Sequence, residues 1–215
     1  MDASTRFVSY VLIGVATSIV WCAPTVYAQD RMPPLRPDDM TAEQRAMVEK
    51  FEAERGTATL RGPWVPLLRA PEVLGLMLDM RSHVRDRSVL GQKLTELAIL
   101  VAAREWTQQY EWSAHVGAAE QAGLDSTVIT AIAEGRRPPE MSAEEASLYD
   151  LCMELHRNKS VSDDTYDRAL AAFGQEGVVE AVTIGGYYAL LAMVMNTART
   201  PLPAGREPGL IAFPR

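Results

Sequence analysis

Cysteine is nearly absent: Cys22 and Cys152 are the only two in 215 residues, and they lie in different segments. Two thiols so placed supply neither a Cys-x-x-Cys redox pair nor a disulfide framework. Histidine is scarce too, at 83, 115 and 156, with no two at the i, i+4 spacing of a helical metal site, so no metal is expected. The chain has no glycine-rich phosphate loop and no alternating strand pattern of consequence. Its net charge is −7, and no Lys/Arg cluster interleaved with aromatics relieves it, which argues against nucleic acid as a partner. What is present is a chain 47% hydrophobic and 23% charged, enough for one globular core. Apolar residues recur at helical spacing, and the pattern predicts an all-α protein, a compact bundle of about seven helices.

The N-terminus reads as a targeting element. Arg6 precedes an apolar run from Phe7 to Ala23, and Val26-Tyr27-Ala28 offers the small residues that a signal peptidase reads. A signal peptide over 1–28, cleaved after Ala28, is predicted, with export to the periplasm or beyond; the alternative is an uncleaved anchor, although the run is short for a span. Residues 29–61 form a proline-rich lead-in and a first helix, which Thr41 and Gln44 open as a capping box and Gly56 ends. Gly62 to Pro66 reads as a loop with a large aromatic, and core packing is the plain reading of Trp64 and Pro66. Pro71 starts the next helix, and Arg81 falls on its mostly apolar face, where a guanidinium meets a carboxylate or snorkels to water. Further on, Asp125, Ser142 and Ser162 cap three more helices, with Gly174 predicted to stop the last of them. Cys152 is expected to be a small buried hydrophobe, and His156 a cation favoured by a helix C-terminus. The final helix, Val178 to Asn196, is apolar nearly all round and belongs in a core, with no stable membrane span after processing. Its Gly185-Gly186 pair predicts close approach of a backbone or ligand, and one hydroxyl of Tyr187 or Tyr188 is a candidate to face the chemistry.

The chain is organised around Lys93 to Leu124, two helices meeting near Trp106–Gln109. Glu111 and His115 are four apart and stack on one helix face, so the carboxylate could orient the imidazole. Glu96 sits on the preceding helix amid apolar neighbours, where desolvation raises a carboxyl pKa towards the range useful for proton transfer. Spacing alone leaves a solvated surface pair as the plain alternative.

The strings ELAILVAAREW, YEWSAH and AGL resemble the signature of the carboxymuconolactone decarboxylase family, within the alkylhydroperoxidase D-like superfamily. GPWVPLLRAPEVLGLMLDM upstream is similar to that family's lead-in helix, and GGYYALLAMVMNTARTPLP downstream to its closing helix, so the resemblance spans residues 62–203 and leaves 204–215 as a tail. Gln108 and Glu111 stand where the peroxidase branch carries its two cysteines, while Glu96 and His115 stand where the family has its glutamate and histidine. The resemblance implies an alkylhydroperoxidase D-like bundle without the thiol pair, assembled as a trimer or hexamer.

It also implies a cofactor-independent lyase or isomerase acting on a small carboxylated lactone or unsaturated acid. In that reading His115 donates or shuttles the proton, Glu111 orients it and Glu96 completes the relay. Arg81 or Arg104 would meet a substrate carboxylate, and Trp64 and Tyr187 would contact the substrate. Two other expectations compete: an exported, non-catalytic oligomeric binding protein of the same fold, and a hydroperoxide reductase working through Cys152.

Overall fold

A computed structural model describes residues 29–211; the predicted signal peptide over 1–28, with Cys22, lies outside the described residues. After a 3-10 turn at Pro37–Asp39 come α1 (Ala42–Arg55), α2 (Trp64–Leu67), α3 (Pro71–Asp86), α4 (Gly91–Glu105), α5 (Gln109–Gln121), α6 (Ser126–Ala133), α7 (Ala143–Asn158) and α8 (Asp163–Ala198). No strand occurs among the described residues. The bundle is all-α, as the periodicity predicts.

α4 is the axis. Every residue from Leu94 to Arg104 is buried, because α5, α7 and α8 pack around this one helix. A helix enclosed on all sides has to be apolar all round, which explains the ILVAA run, and any polar group on it must find a partner inside. Glu96 is such a group.

Local signals set the helix boundaries. The capping boxes at Thr41/Gln44 and Ser142/Glu145 both form, each side chain bonding the other's backbone N–H. Gly56 closes α1 at φ 69°, a conformation open to glycine at little cost. One boundary differs from expectation. Trp64–Leu67 is one turn of helix and not a loop, since Pro63 already has helical backbone angles and Leu67 N–H bonds Pro63 C=O at 3.1 Å. Gly174 ends the first part of α8 as expected: its φ of 66° and ψ of 179° are non-helical, and a second helix follows across the kink.

α8 is long and apolar enough to cross a membrane by length and composition, yet more than half of its most apolar stretch is buried, where it packs on α4 and α7. Val179, Val182 and Met193 remain exposed on its outer side. Gly186 also lies outside, with nothing near a Cβ built on it, and such a Cβ at Gly185 would meet only His156 at 3.9 Å. The glycine pair therefore marks no close backbone approach. His156 corrects a further expectation, because burial lowers its pKa and favours the neutral ring.

The tail beyond α8 is docked. Gln109 holds Leu210 through both amide groups, donating to its carbonyl at 2.7 Å and accepting from its N–H at 3.0 Å. Gly209 lies so close to Trp112 that a Cβ would stand 2.7 Å from the ring. Gly209→Ala is expected to lift this segment and cost about 1–3 kcal/mol, as overpacking does. Urea unfolding reads the loss; an unchanged midpoint would show that the contact carries no stability.

Candidate active site

The site forms where α3, α4, α5 and α8 converge. Glu96 is fully buried, and its carboxylate accepts from Arg85 Nη1 at 2.5 Å, Gln92 Nε2 at 2.8 Å and His115 Nδ1 at 2.8 Å. Burial by itself would raise its pKa. The His115 bond and charge, with those of Arg85, outweigh burial and hold Glu96 below the usual carboxylate range. The sequence expectation of a raised pKa at Glu96 is thereby corrected: it is an anchored anion.

That anion fixes the imidazole. Nδ1 of His115 faces the ionised Glu96 Oε2 and so carries the proton, although Arg85 Nη1, another donor, stands 3.2 Å away. Nε2 is left with its lone pair on a ring that lines a cavity. Burial, together with the charges of Arg85 and Arg81, lowers the pKa of His115 despite the opposing pull of Glu96, so the ring is neutral near pH 7. Tyr188 packs against it in a T-shaped contact, with centroids 5.1 Å apart and planes at 86°.

Glu111 plays a different part from the one expected. No hydrogen bond joins it to His115 among the described residues, and its Oε2 is buried without a partner. Burial raises its pKa well above the ordinary value, so its carboxyl is kept protonated and available as an acid. The helix spacing placed Glu111 and His115 on one face correctly; the orienting carboxylate comes instead from α4.

The cavity has a volume of about 510 Å³ and opens beside both groups. α3 contributes Arg81 and Arg85, α5 contributes Tyr110, Glu111 and His115, and α8 contributes Tyr187 and Tyr188. α1 and the segment after it add Phe51, Arg55, Thr57, Thr59 and Arg61, with Trp64 at the start of α2. Arg81, Trp64 and Tyr187 line the cavity. The Tyr187 hydroxyl, however, donates to Met77 C=O at 3.0 Å, which makes it a wall held by α3. Arg104 does not reach the cavity: it is buried and donates to Ile211 C=O at 2.5 Å, anchoring the tail. Pro66 is buried outside the lining.

Sequence reading missed Arg85, Gln92, Tyr110 and the cavity role of Arg55 and Arg61. Arg85 lies four residues after Arg81 on α3, and that i, i+4 pairing was the available signal. Gln108, at one of the two positions where the peroxidase branch has cysteines, is a buried cap: it accepts from Tyr110 N–H at 2.7 Å and donates to Asn196 at 2.9 Å. Cys152 is buried and its thiol is pushed up to about 12.

A helical bundle wrapped on one buried helix in this way has the alkylhydroperoxidase D-like fold. Solved structures share it. An uncharacterised peroxidase-related protein from Silicibacter sp. TM1040 aligns with a TM-score of 0.65 at 15% identity, over 85% of this chain and 96% of its own. An uncharacterised peroxidase-related protein from Ralstonia eutropha JMP134, described as an alkylhydroperoxidase AhpD core, aligns at 0.65 and 11% identity, over 81% and 92%. A protein of unknown function from Agrobacterium tumefaciens, with the suggested name antioxidant defence protein AhpD, aligns at 0.58 and 18% identity, over 64% and 95%. No family model and no curated protein sequence matches the chain.

Proposed function

We propose that the protein is a lyase or isomerase of the carboxymuconolactone decarboxylase type, moving protons on a small carboxylated lactone or unsaturated acid. The observation that carries this is a pair of opposite character on one cavity wall: the neutral, unpartnered Glu111 carboxyl beside a His115 ring whose Nδ1 is tied to Glu96. Two titratable groups whose surroundings drive them to an acid and a base at one pH are what proton transfer needs.

In an isomerisation, His115 Nε2 takes the proton from a carbon next to the substrate carbonyl, and the electron pair moves into an enolate. Glu111 then gives its proton to a different carbon, and proton return between the two groups through water restores both. In a decarboxylation, the bond to the carboxylate breaks, carbon dioxide leaves, and the electron pair stays on carbon conjugated with the lactone carbonyl. Glu111 protonates that carbon and regains a proton from water. Arg81 offers the positive charge that orients a substrate carboxylate and stabilises the enolate. These assignments make His115 the base and Glu111 the acid, because Glu96 fixes the tautomer.

Peroxide reduction is the competing reading, since two structural neighbours are called peroxidase-related. It needs an accessible thiolate, and burial together with the raised pKa argues against Cys152. Action outside the cytoplasm, following the predicted leader, and assembly as a trimer or hexamer complete the proposal; the exposed Val179, Val182 and Met193 suit a subunit contact.

The test is carbon dioxide release and deuterium incorporation from heavy water on a panel of carboxylated lactones. Turnover is expected, with His115→Ala and Glu111→Gln each lowering it about 10²–10⁴-fold while circular dichroism stays unchanged. Silence across the panel would favour the non-catalytic binding protein.

A further inference from the structure

Glu180, on α8, is 9% exposed and does not line the active-site cavity, yet it is bonded as fully as Glu96. Its Oε2 accepts from Ser88 Oγ at 2.6 Å and from Val89 N–H at 2.7 Å, and its Oε1 lies 2.9 Å from His83 Nε2. Burial would raise its pKa, but the bonds from Ser88, His83 and Val89 overcome that and hold the carboxyl below its ordinary value. The group is therefore an anion, and His83 is the donor. Ser88 Oγ in turn accepts from Leu90 N–H at 3.2 Å. α4 has no capping side chain of its own at Leu90. The negative charge at its start, where the helix dipole favours one, comes from another helix.

The donors to Glu180 and two of the donors to Glu96 share one stretch, residues 83–92. His83, Ser88 and Val89 go to Glu180, while Arg85 and Gln92, interleaved with them, go to Glu96 at 2.5 and 2.8 Å. The stretch is thus pinned between two ionised carboxylates, one on α8 and one on α4. It also separates two cavities. Arg81 and Arg85 line the active-site cavity, whereas His83 and Val84 line a second one of about 470 Å³, together with Ser88 and Glu180. Holding a side chain with as many torsions as arginine on one oxygen costs entropy, and less of it when the backbone beneath is already fixed.

We propose that Glu180 is a positioning residue for the acid–base site: it fixes the α3–α4 turn, so that Arg85 and Gln92 stay on Glu96 and the His115 ring keeps its surroundings. The inference deepens the acid–base reading above, and its bearing on catalysis rests on that reading. Release of the turn lets Arg85 withdraw from Glu96. Burial lowers the pKa of His115 first and the Arg85 charge lowers it further, against the pull of Glu96. With Arg85 withdrawn, His115 titrates at higher pH.

The experiment is an NMR titration of the His115 ring, assigned by the signal lost in His115→Ala, in the purified protein without substrate. Glu180→Ala, which removes all three bonds, is expected to raise the His115 pKa by about one pH unit, the worth of one nearby charge. Ser88→Ala should move it the same way by less, and it decides the question if Glu180→Ala does not fold. Glu180→Gln should stay with wild type, because its carbonyl still accepts from Ser88 and Val89 while its amide N–H meets His83. Val128→Ala truncates a fully buried side chain on α6; it should lose stability in urea and leave the titration alone. His115 unmoved in Glu180→Ala, or in Ser88→Ala where that variant decides, would overturn the inference. So would an equal shift in Glu180→Gln, which would mean charge and not position, or in Val128→Ala, which would mean a general loosening of the core. No turnover enters the reading, so the two proposals separate. A shifted titration in a protein inactive on every lactone overturns only the proton-transfer reading, and turnover with an unmoved titration overturns only this one.

Discussion

Glu96→Gln is expected to destabilise the protein by about 3 kcal/mol, the lower part of the range for breaking a buried ion pair, and to lower turnover at least as much as His115→Ala. The reason is acceptor count. Glu96 receives donors from Arg85, Gln92 and His115, and a glutamine must turn an N–H towards at least one of them. Arg85 then loses its counter-ion on a side chain only 15% exposed. His115 loses the acceptor that keeps its proton on Nδ1, so the Nε2 lone pair is no longer guaranteed. Urea unfolding and turnover read the two losses. Arg85→Met/Glu96→Leu should recover most of the stability and none of the activity, because an absent ion pair costs less than a broken one. The wild-type advantage over Glu96→Gln also depends on pH. The folded pKa of Glu96 is lowered, so its contribution is complete above the ordinary carboxylate value and disappears as pH falls through the folded value. An equal stability of wild type and Glu96→Gln at neutral pH would refute the assignment.

Glu111→Gln is expected to do the opposite to stability. The folded pKa of Glu111 is raised by burial, so in the window above the ordinary value the native state holds a proton that the unfolded chain has released. Stability then falls with rising pH, by up to about 1.4 kcal/mol per pH unit for one proton, until the folded value is reached. Below the ordinary carboxylate value both states are protonated and the contribution is flat. Glutamine has no proton to lose. The variant should therefore match wild type below the ordinary carboxylate value and exceed it above that value, while losing turnover at every pH. Urea midpoints measured across that range decide it, and parallel curves would mean that Glu111 ionises normally in the folded protein. A residue whose removal stabilises the protein and abolishes its activity is held for chemistry.

Much of this architecture follows from neighbours in sequence. The apolar spacing of Leu94, Leu97, Ala98 and Val101 defines α4, and Thr41/Gln44 and Ser142/Glu145 define two helix starts, because capping and periodicity act within one turn. The i, i+4 relation put Glu111 and His115 on one face for the same reason. Gly174 was legible as the end of one helix for the same reason, but the angle at which the next helix leaves it was not, since that depends on what receives it, here the packing of α8 on α4 and α7.

The sequence alone determined the all-helical bundle, the central pair of helices and the identities of Glu96, Glu111 and His115. Only the tertiary structure decided their arrangement. Which carboxylate touches the imidazole, which is left without a partner in the interior, and which arginine meets Glu96 depend on three helices meeting at one junction. Arg85 lies 11 residues from Glu96, and His115 lies 19 from it. Helical periodicity carries no information across those separations, and desolvation, which makes one carboxyl an acid and leaves its neighbour an anion, exists only once the core has closed.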